Sequence, residues 1–329
     1  MVRLGLLGAG HFAKRHIAAL ERLNDRACLT CFARNRTEPF PEAEALGAER
    51  VPTESLLNDT DVDAVLLAVP NHLHHAYALE ALEHGKHVFC EKPMALTVED
   101  ADAMIAAARA TGNVLMIGHL TRYSAIYMAV AEVLASGELG APVSAHASRR
   151  QRKAGGSWRM EPAAGGGAPL DLLVHDFDLV NWYLGPPETI MAKGDKQPEG
   201  AYQSMMVLLS RNDSLASVEG GFVLDESEPF RATLQLLCEG GRITVDTANA
   251  TNPVCVTRKA REPRSLPLDG GSDPVVGVAG ELEEFLDVIE GAAPRRLRLE
   301  DARTAVACAA LAVQSADTHA EMRLESPLA

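Results

Sequence analysis

Three groups of residues have the types and the spacing to do chemistry. Gly8-Ala9-Gly10-His11-Phe12-Ala13 fits G-x-G-x-x-A directly after a strand-like run at 3–7 and before a helical pattern. In that context Gly8 permits the tight turn, Gly10 lets the backbone approach a pyrophosphate, and Ala13 lets helix and strand pack closely at the positive helix N-terminus. The second group is Cys90-Glu91-Lys92-Pro93, which ends another strand-like run. Ligands of a doubly wound sheet bind outside the carboxyl ends of its strands. Lys92 is therefore expected in the site, its ammonium donating to a reacting oxygen and favouring the negative charge that develops there. The third group is Asp171 and His175, four residues apart in a helical pattern behind Gly165-Gly166-Gly167. That spacing predicts a shared helix face, where the carboxylate orients the imidazole and raises its basicity, making His175 a general base for a hydroxyl proton.

The elements that must hold these groups are written as alternating short apolar runs and amphipathic helices. Strands are expected at 3–7, 27–32, 64–69, 87–90 and 114–117, with helices at 12–21, 74–84 and 98–110, the last opened by Thr97 and Asp100 as a capping-box-like start. After about residue 121 the pattern changes to a helix at 125–136, a strand at 143–149 and a helix from Pro169 to a Gly185 cap. Successive strands with turns at 211–213 and 239–241 follow, and two helices at 281–290 and 301–316 close the chain. The expected fold is α/β: an N-terminal Rossmann doubly wound parallel sheet over residues 1–121, plus a C-terminal α+β domain over 122–329 with a large, mostly antiparallel open sheet. The helix at about 301–316 is expected to pack back on the first domain.

Composition narrows the function class. The 329 residues are 47% apolar and 23% charged, a globular balance long enough for two cores. Lys plus Arg (31) against Asp plus Glu (45) gives a net charge of −14, a field that repels polyanions, so no nucleic-acid partner is expected. No apolar run approaches the ~20 residues of a membrane span, and the start leads straight into the first strand, so no membrane partner, no secretory signal and a cytoplasmic address are expected. The six cysteines are scattered and read as reduced thiols. Cys28 and Cys31, three apart on a strand, point to opposite faces and cannot share a zinc. His72, His74 and His75 lack an obvious third and fourth ligand, so no metal is expected.

The strand at 27–32 runs into Ala33-Arg34-Asn35-Arg36, with no acid where one usually takes the ribose hydroxyls. Arg34 in that place stacks on adenine or pairs a 2′-phosphate, so NADP is the preferred cofactor, with NAD the alternative. The cluster Arg149, Arg150, Arg152, Lys153 is either a contact for a carboxylated or phosphorylated substrate or a solvated strand end.

The glycine turn, Pro70-Asn71 with His74, Glu91-Lys92-Pro93, Arg122-Tyr123 and Gly165-Gly166-Gly167 followed by Asp171, His175, Asp178 and Trp182 together resemble the glucose–fructose oxidoreductase/inositol dehydrogenase/rhizopine-catabolism (Gfo/Idh/MocA) family along essentially the whole chain. The resemblance implies an NAD(P)-dependent dehydrogenase or reductase moving a hydride between nicotinamide and a hydroxyl or keto carbon of a sugar, cyclitol, polyol or diol. It implies Lys92, Asp171 and His175 as catalytic residues. Gly8, Gly10, His11, Phe12, Ala13, Ala33, Arg34, Pro70, Asn71, His74, Glu91 and Lys92 would border the cofactor, and Arg122, Trp158, Arg159 and His175 the substrate. It also implies a homodimer or homotetramer formed through the C-terminal sheet. Val69 stands where the family often has Thr. Two rival functions remain open: a non-catalytic sugar- or nucleotide-sensing regulator, which would not need Lys92, Asp171 and His175 together, and an NAD-assisted glycoside hydrolase, which would release sugar without net change in cofactor absorbance.

Overall fold

The computed structural model describes residues 1–35, 38–154, 157–266, 268, 274–291 and 296–325. The chain begins β1 (Val2–Leu7), α1 (His11–Leu20), β2 (Ala27–Ala33), α2 (Pro41–Ala45), β3 (Glu49–Arg50), α3 (Thr53–Asn58), β4 (Ala64–Leu67), α4 (His74–Glu83), β5 (His87–Glu91), α5 (Val98–Thr111) and β6 (Leu115–Gly118). It continues with α6 (Ala125–Ala135), β7 (Pro142–Arg152), α7 (Val174–Leu184), β8 (Thr189–Lys196), β9 (Tyr202–Arg211), β10 (Ser214–Leu224), β11 (Arg231–Cys238), β12 (Gly241–Asp246), β13 (Val254–Arg258) and β14 (Arg264–Ser265). It closes with α8 (Pro274–Ile289), α9 (Leu299–Thr318) and β15 (Met322–Arg323). Two compact units result, one of residues 1–123 with 273–299 and one of 124–272 with 300–329.

The first unit holds a six-stranded parallel sheet in the order β3-β2-β1-β4-β5-β6. β4 is wholly buried, as a strand covered on both faces must be, and it reads as the unbroken apolar run Ala-Val-Leu-Leu. The direction of sheet growth reverses between β1 and β4, so the ligand crevice lies at their carboxyl ends. Thr97 accepts a hydrogen bond from the Asp100 N–H at 3.1 Å and Gly112 closes α5 in the left-handed region, the caps the sequence signals. The stretch from Pro41 to Asn58 adds two short helices and β3 that periodicity does not reveal, being too brief for it, yet Phe40, Ala43, Leu56 and Leu57 are buried there.

The closing helices divide between the two units. α8 belongs to the first: Val278, Leu282, Phe285 and Leu286 enter one core with Leu20, Leu66, Phe89 and Met116. The helix at 301–316, α9, belongs to the second unit, where its Ser315 accepts a hydrogen bond from the Ala192 N–H of β8 at 2.9 Å. Both helices are amphipathic, and amphipathicity alone does not name the core they enter.

The second unit holds a nine-stranded sheet in the order β14-β13-β12-β11-β7-β10-β9-β8-β15, antiparallel except where β7 and β10 run parallel. One face is buried through Ala145, Ala147, Val207, Leu209, Val218, Leu234 and Leu236. Met191, Met206, Leu208, Leu215 and Leu237 on the alternate positions are exposed. Among the described residues no helix is long and apolar enough to cross a membrane. The six cysteines are free thiols, Cys31 buried and Cys28 half-buried on β2.

Candidate active site

The turn after β1 is built for a backbone that passes close to its neighbours. Gly8 has φ +107°, and a Cβ there would lie 2.2 Å from the Ala68 carbonyl oxygen, so no other residue fits. Its N–H donates to Ala33 O at 3.0 Å and the Ala68 N–H donates to Leu7 O at 2.9 Å, tying the turn to the ends of β2 and β4. Gly10 occupies the N-cap of α1 without a capping side chain, no acid stands in the first turn, and a Cβ on Gly10 would meet nothing within 4 Å. The orphan N–H groups and the positive end of the helix are thus left open for an anion, and the residues present fit a dinucleotide pyrophosphate. Ala13 is fully buried, as the close helix–strand packing requires, while His11 and Phe12 lie nearer the surface.

Beyond the buried Ala33, Arg34 folds back over the chain. Its Nη1 donates to Pro39 O at 3.3 Å, its Nη2 to Glu38 at 3.4 Å, and its guanidinium lies 5.6 Å from the Phe40 ring centroid. The strand end that lacks an acid in sequence therefore acquires one in space, the exposed Glu38. Arg36 lies outside the described residues.

The loops after β4 and β5 are tied together from within. Asn71 is buried next to Pro70 in the short helical turn before α4. His74, fully buried, places Nδ1 2.7 Å from Pro93 O and Nε2 3.0 Å from Val69 O, so both ring nitrogens are taken up by backbone oxygens of the two loops. Burial pushes its imidazole below its usual value, against the pull of those carbonyls. His74 thus joins the loop carrying Asn71 to the loop carrying Lys92. The half-buried Lys92 follows Glu91, whose buried carboxylate accepts from His16 Nε2 of α1 at 2.7 Å. His16 escapes sequence reading because a single histidine on an apolar helix face carries no signal of its partner 75 residues away. Arg122 is buried and its Nη1 donates to Arg296 O at 3.1 Å, a contact within the first unit.

In the second unit the helix expected from Pro169 is interrupted. Residues Ala168–Leu172 form a π-helical turn, with the Leu173 N–H bonded to Ala168 O five residues back at 2.8 Å, and α7 begins only at Val174. Such wide turns recur at functional sites, and across this one a spacing of four no longer equals an α-helical turn, so the shared-face argument for Asp171 and His175 does not apply. Asp171 is buried with Oδ2 3.6 Å from Arg159 Nε, and His175 is half-buried on the first turn of α7. Gly165 brings Arg159 there: a Cβ at 165 would sit 2.3 Å from Arg159 Cα, so only glycine lets the loop lie against the Trp158–Met160 turn. The Arg159 guanidinium also lies 5.9 Å from the Trp158 ring.

The basic cluster divides: Arg149 is buried, while Arg150, Arg152 and Lys153 are exposed at the strand end. Arg149 is forked onto Asp176 at 2.7 and 3.1 Å, Arg150 pairs with Glu219 at 2.7 Å, Arg152 donates to Glu228 O at 3.4 Å and Lys153 to Asp225 at 3.4 Å. Burial, the largest single influence, would lower Arg149, but Asp176 and Tyr127 together hold the guanidinium above its usual value.

Comparison with known proteins agrees with this architecture. A family model described as oxidoreductase family, NAD-binding Rossmann fold, matches residues 2–119, and one described as the GFO/IDH/MocA C-terminal domain matches 127–244. A 1,5-anhydro-D-fructose reductase of Ensifer adhaerens is 36% identical over 198 residues, which is 58% of this chain and 59% of the relative. An inositol 2-dehydrogenase of Burkholderia lata is 31% identical over 191 residues, 56% of this chain and 55% of the relative. The chain thus spans just over half the length of these two relatives. A solved levoglucosan dehydrogenase, in complex with NADH and L-sorbose, shares the fold with a TM-score of 0.90 at 20% identity, covering 99% of both chains. With both halves matched in order, on a parallel dinucleotide-binding sheet followed by a large open sheet, the chain belongs to the GFO/IDH/MocA oxidoreductase family.

Proposed function

We propose that the protein is an NAD(P)-dependent dehydrogenase or reductase acting at a CH–OH or keto carbon of a sugar, cyclitol or related polyol. The observation that carries this reading is the uncapped N-terminus of α1 behind Gly8 and Gly10, beside the same sheet whose β5 ends at Glu91, directly before Lys92. A nicotinamide dinucleotide, when bound, supplies the hydride acceptor or donor. Gly8, Gly10, His11, Phe12 and Ala13 would hold its pyrophosphate, Ala33 and Arg34 its adenosine end, and Pro70 and Asn71 the nicotinamide end, with His74 and Glu91 fixing the loops beneath. Lys92 donates a hydrogen bond to the reacting oxygen and stabilises its negative charge more in the transition state than in the ground state. His175 takes the hydroxyl proton. Asp171, set by Arg159, supplies the fixed negative charge that favours the imidazolium formed. Trp158 and Arg159 would border the substrate.

The names of the relatives, an anhydrofructose reductase and an inositol dehydrogenase, support the substrate class. A panel of sugars, cyclitols and polyols followed by reduced-cofactor absorbance beside product formation tests it. Absorbance change in step with a keto product is the expected result. Sugar release without absorbance change would replace the dehydrogenase with a hydrolase, and cofactor or sugar binding without turnover would replace it with a sensor.

NADP is the cofactor the Arg34 side chain favours over NAD, because a guanidinium forks onto a 2′-phosphate. Arg34→Ala is expected to raise KM for NADPH about tenfold, the equivalent of one charge-assisted hydrogen bond, with little change for NADH. Equal effects on both cofactors, measured by initial rates, would remove Arg34 from that role. The exposed apolar face of the second sheet, where Met191 and Leu208 stand as cross-strand neighbours, supports a homodimer or homotetramer formed there.

A further inference from the structure

The first unit contains an acid that none of the roles above uses. Glu281, in the middle of α8, is fully buried, and neither carboxylate oxygen has a hydrogen-bond partner among the described residues. α8 packs on α1, on β6 and on the turn at 120–123. The rings of Phe285 and Phe89 meet edge to face at 5.6 Å, and Phe89 meets His16 at 5.3 Å. Glu281 lies one helical turn before Phe285 on the same face of α8, so it is directed toward the layer of α1 and β5 that carries the buried pair of His16 and Glu91. Glu91 itself is confined: a Cβ on Gly118 would come within 3.5 Å of its Cδ, so its carboxylate runs over a glycine of β6 and onto α1.

The charged and titratable groups of this cluster are His16 from α1, Glu91 from β5, His119, Arg122 and Tyr123 after β6, and Glu284 and Arg296 from α8 and the segment beyond it. Arg296 is engaged elsewhere: its Nε lies 3.3 Å from Glu284 and its guanidinium 5.5 Å from the Tyr123 ring. No cation pairs with Glu281 among the described residues. An ionised carboxylate here would be desolvated, unpaired and beside a second carboxylate, an arrangement that proteins relieve by keeping one of the two acids protonated. Burial, with the charge of Glu91 behind it, pushes Glu281 well above the usual carboxylate range.

We propose that Glu281 retains its proton in the folded protein at neutral pH and, as a neutral acid against Glu91, is a positioning residue that holds the Glu91–Lys92 strand end. With Glu281 neutral, Glu91 stays on His16 and the backbone leading into Lys92 is fixed. Ionisation of Glu281 sets two carboxylates against each other and displaces that strand end. The second half of this inference rests on the reading of Lys92 as the group at the reacting oxygen, and the first half does not.

The test begins on the full chain without substrate, comparing melting temperatures of wild type and Glu281→Gln from pH 5 to pH 8. A carboxyl whose folded pKa is raised makes the folded state bind a proton that the unfolded chain loses above about pH 4.5, so wild type forfeits stability progressively as pH rises while the amide does not. The variant is expected to gain on wild type with each step up in pH. Parallel curves would overturn proton retention. If the variant does not fold, the ¹³C-carboxyl NMR titration of wild-type glutamates decides the point: one resonance is expected to titrate late, and titration of all of them below about pH 6 would overturn the proposal. For the second half, kcat against pH is expected to show an alkaline decline in wild type that Glu281→Gln lacks, whereas Glu281→Ala lowers kcat throughout. A decline shared unchanged by wild type and the amide variant would overturn the positioning of Lys92, even with proton retention established.

Discussion

Lys92→Met is expected to lower kcat by about a hundred- to a thousandfold while cofactor affinity stays near its wild-type value, which is the effect of removing one preorganised donor from a developing oxyanion. Methionine keeps much of the length and apolar stem of lysine and removes only the ammonium. Glu91, buried on His16, and the His74 contact to Pro93 O hold the backbone on both sides of residue 92, so the substitution leaves the loop in place. The loss should fall equally on kcat and kcat/KM, the signature of an interaction made in the transition state. Lys92→Arg should not restore the rate, because a planar fork does not present its charge where a compact ammonium does. Single-turnover kinetics with a fluorescence titration of the cofactor separates these effects. A variant with near-normal turnover would take Lys92 out of the chemistry and leave it a loop residue.

Asp176→Ala is the substitution with the largest expected effect on stability. Asp176 and Arg149 are both buried, and the fork between them has its two N–O distances at 2.7 and 3.1 Å. Truncating the acid leaves a desolvated guanidinium without its partner, a loss of about 3–5 kcal/mol in comparable buried pairs. That corresponds to a fall in Tm of about 10 °C for a domain of this size. The pair joins α7, which carries His175, to β7 at the centre of the second sheet, so activity should fall with the fold. Replacing both partners by apolar residues, Arg149→Met with Asp176→Leu, should recover most of the loss, because the cost lies in the unpaired charge rather than in the absent bridge. Thermal and urea denaturation of the single and double variants checks this. A double variant no more stable than Asp176→Ala would show that the fork contributes by more than mutual neutralisation.

Much of the cofactor half is legible in the order of residues. The glycine turn, the strand ends at Asn71 and Lys92 and the caps of α5 depend on neighbours a few positions away, and such short-range rules act before any tertiary contact forms. The short helices between Phe40 and Asn58 are not legible, because they are shorter than the period that announces a helix. The π turn at 168–172 is hidden for a different reason: its composition is that of an ordinary helix start with Pro169 near the front, and only packing around the buried Asp171 decides how widely it winds.

What the sequence by itself determined is the dinucleotide-binding turn, the parallel sheet and the change to an antiparallel sheet, since each is encoded by residue type and local spacing. Only the tertiary structure decided that α8 completes the core of the first unit, that Glu91 is engaged by His16, that Arg159 rather than helix spacing sets Asp171, and that Arg149 is spent on Asp176. The physical reason is common to all four. Burial makes every charge and every apolar face find a complement, and that complement is chosen by proximity in space, for which separations of tens to hundreds of residues leave no periodic trace in the chain.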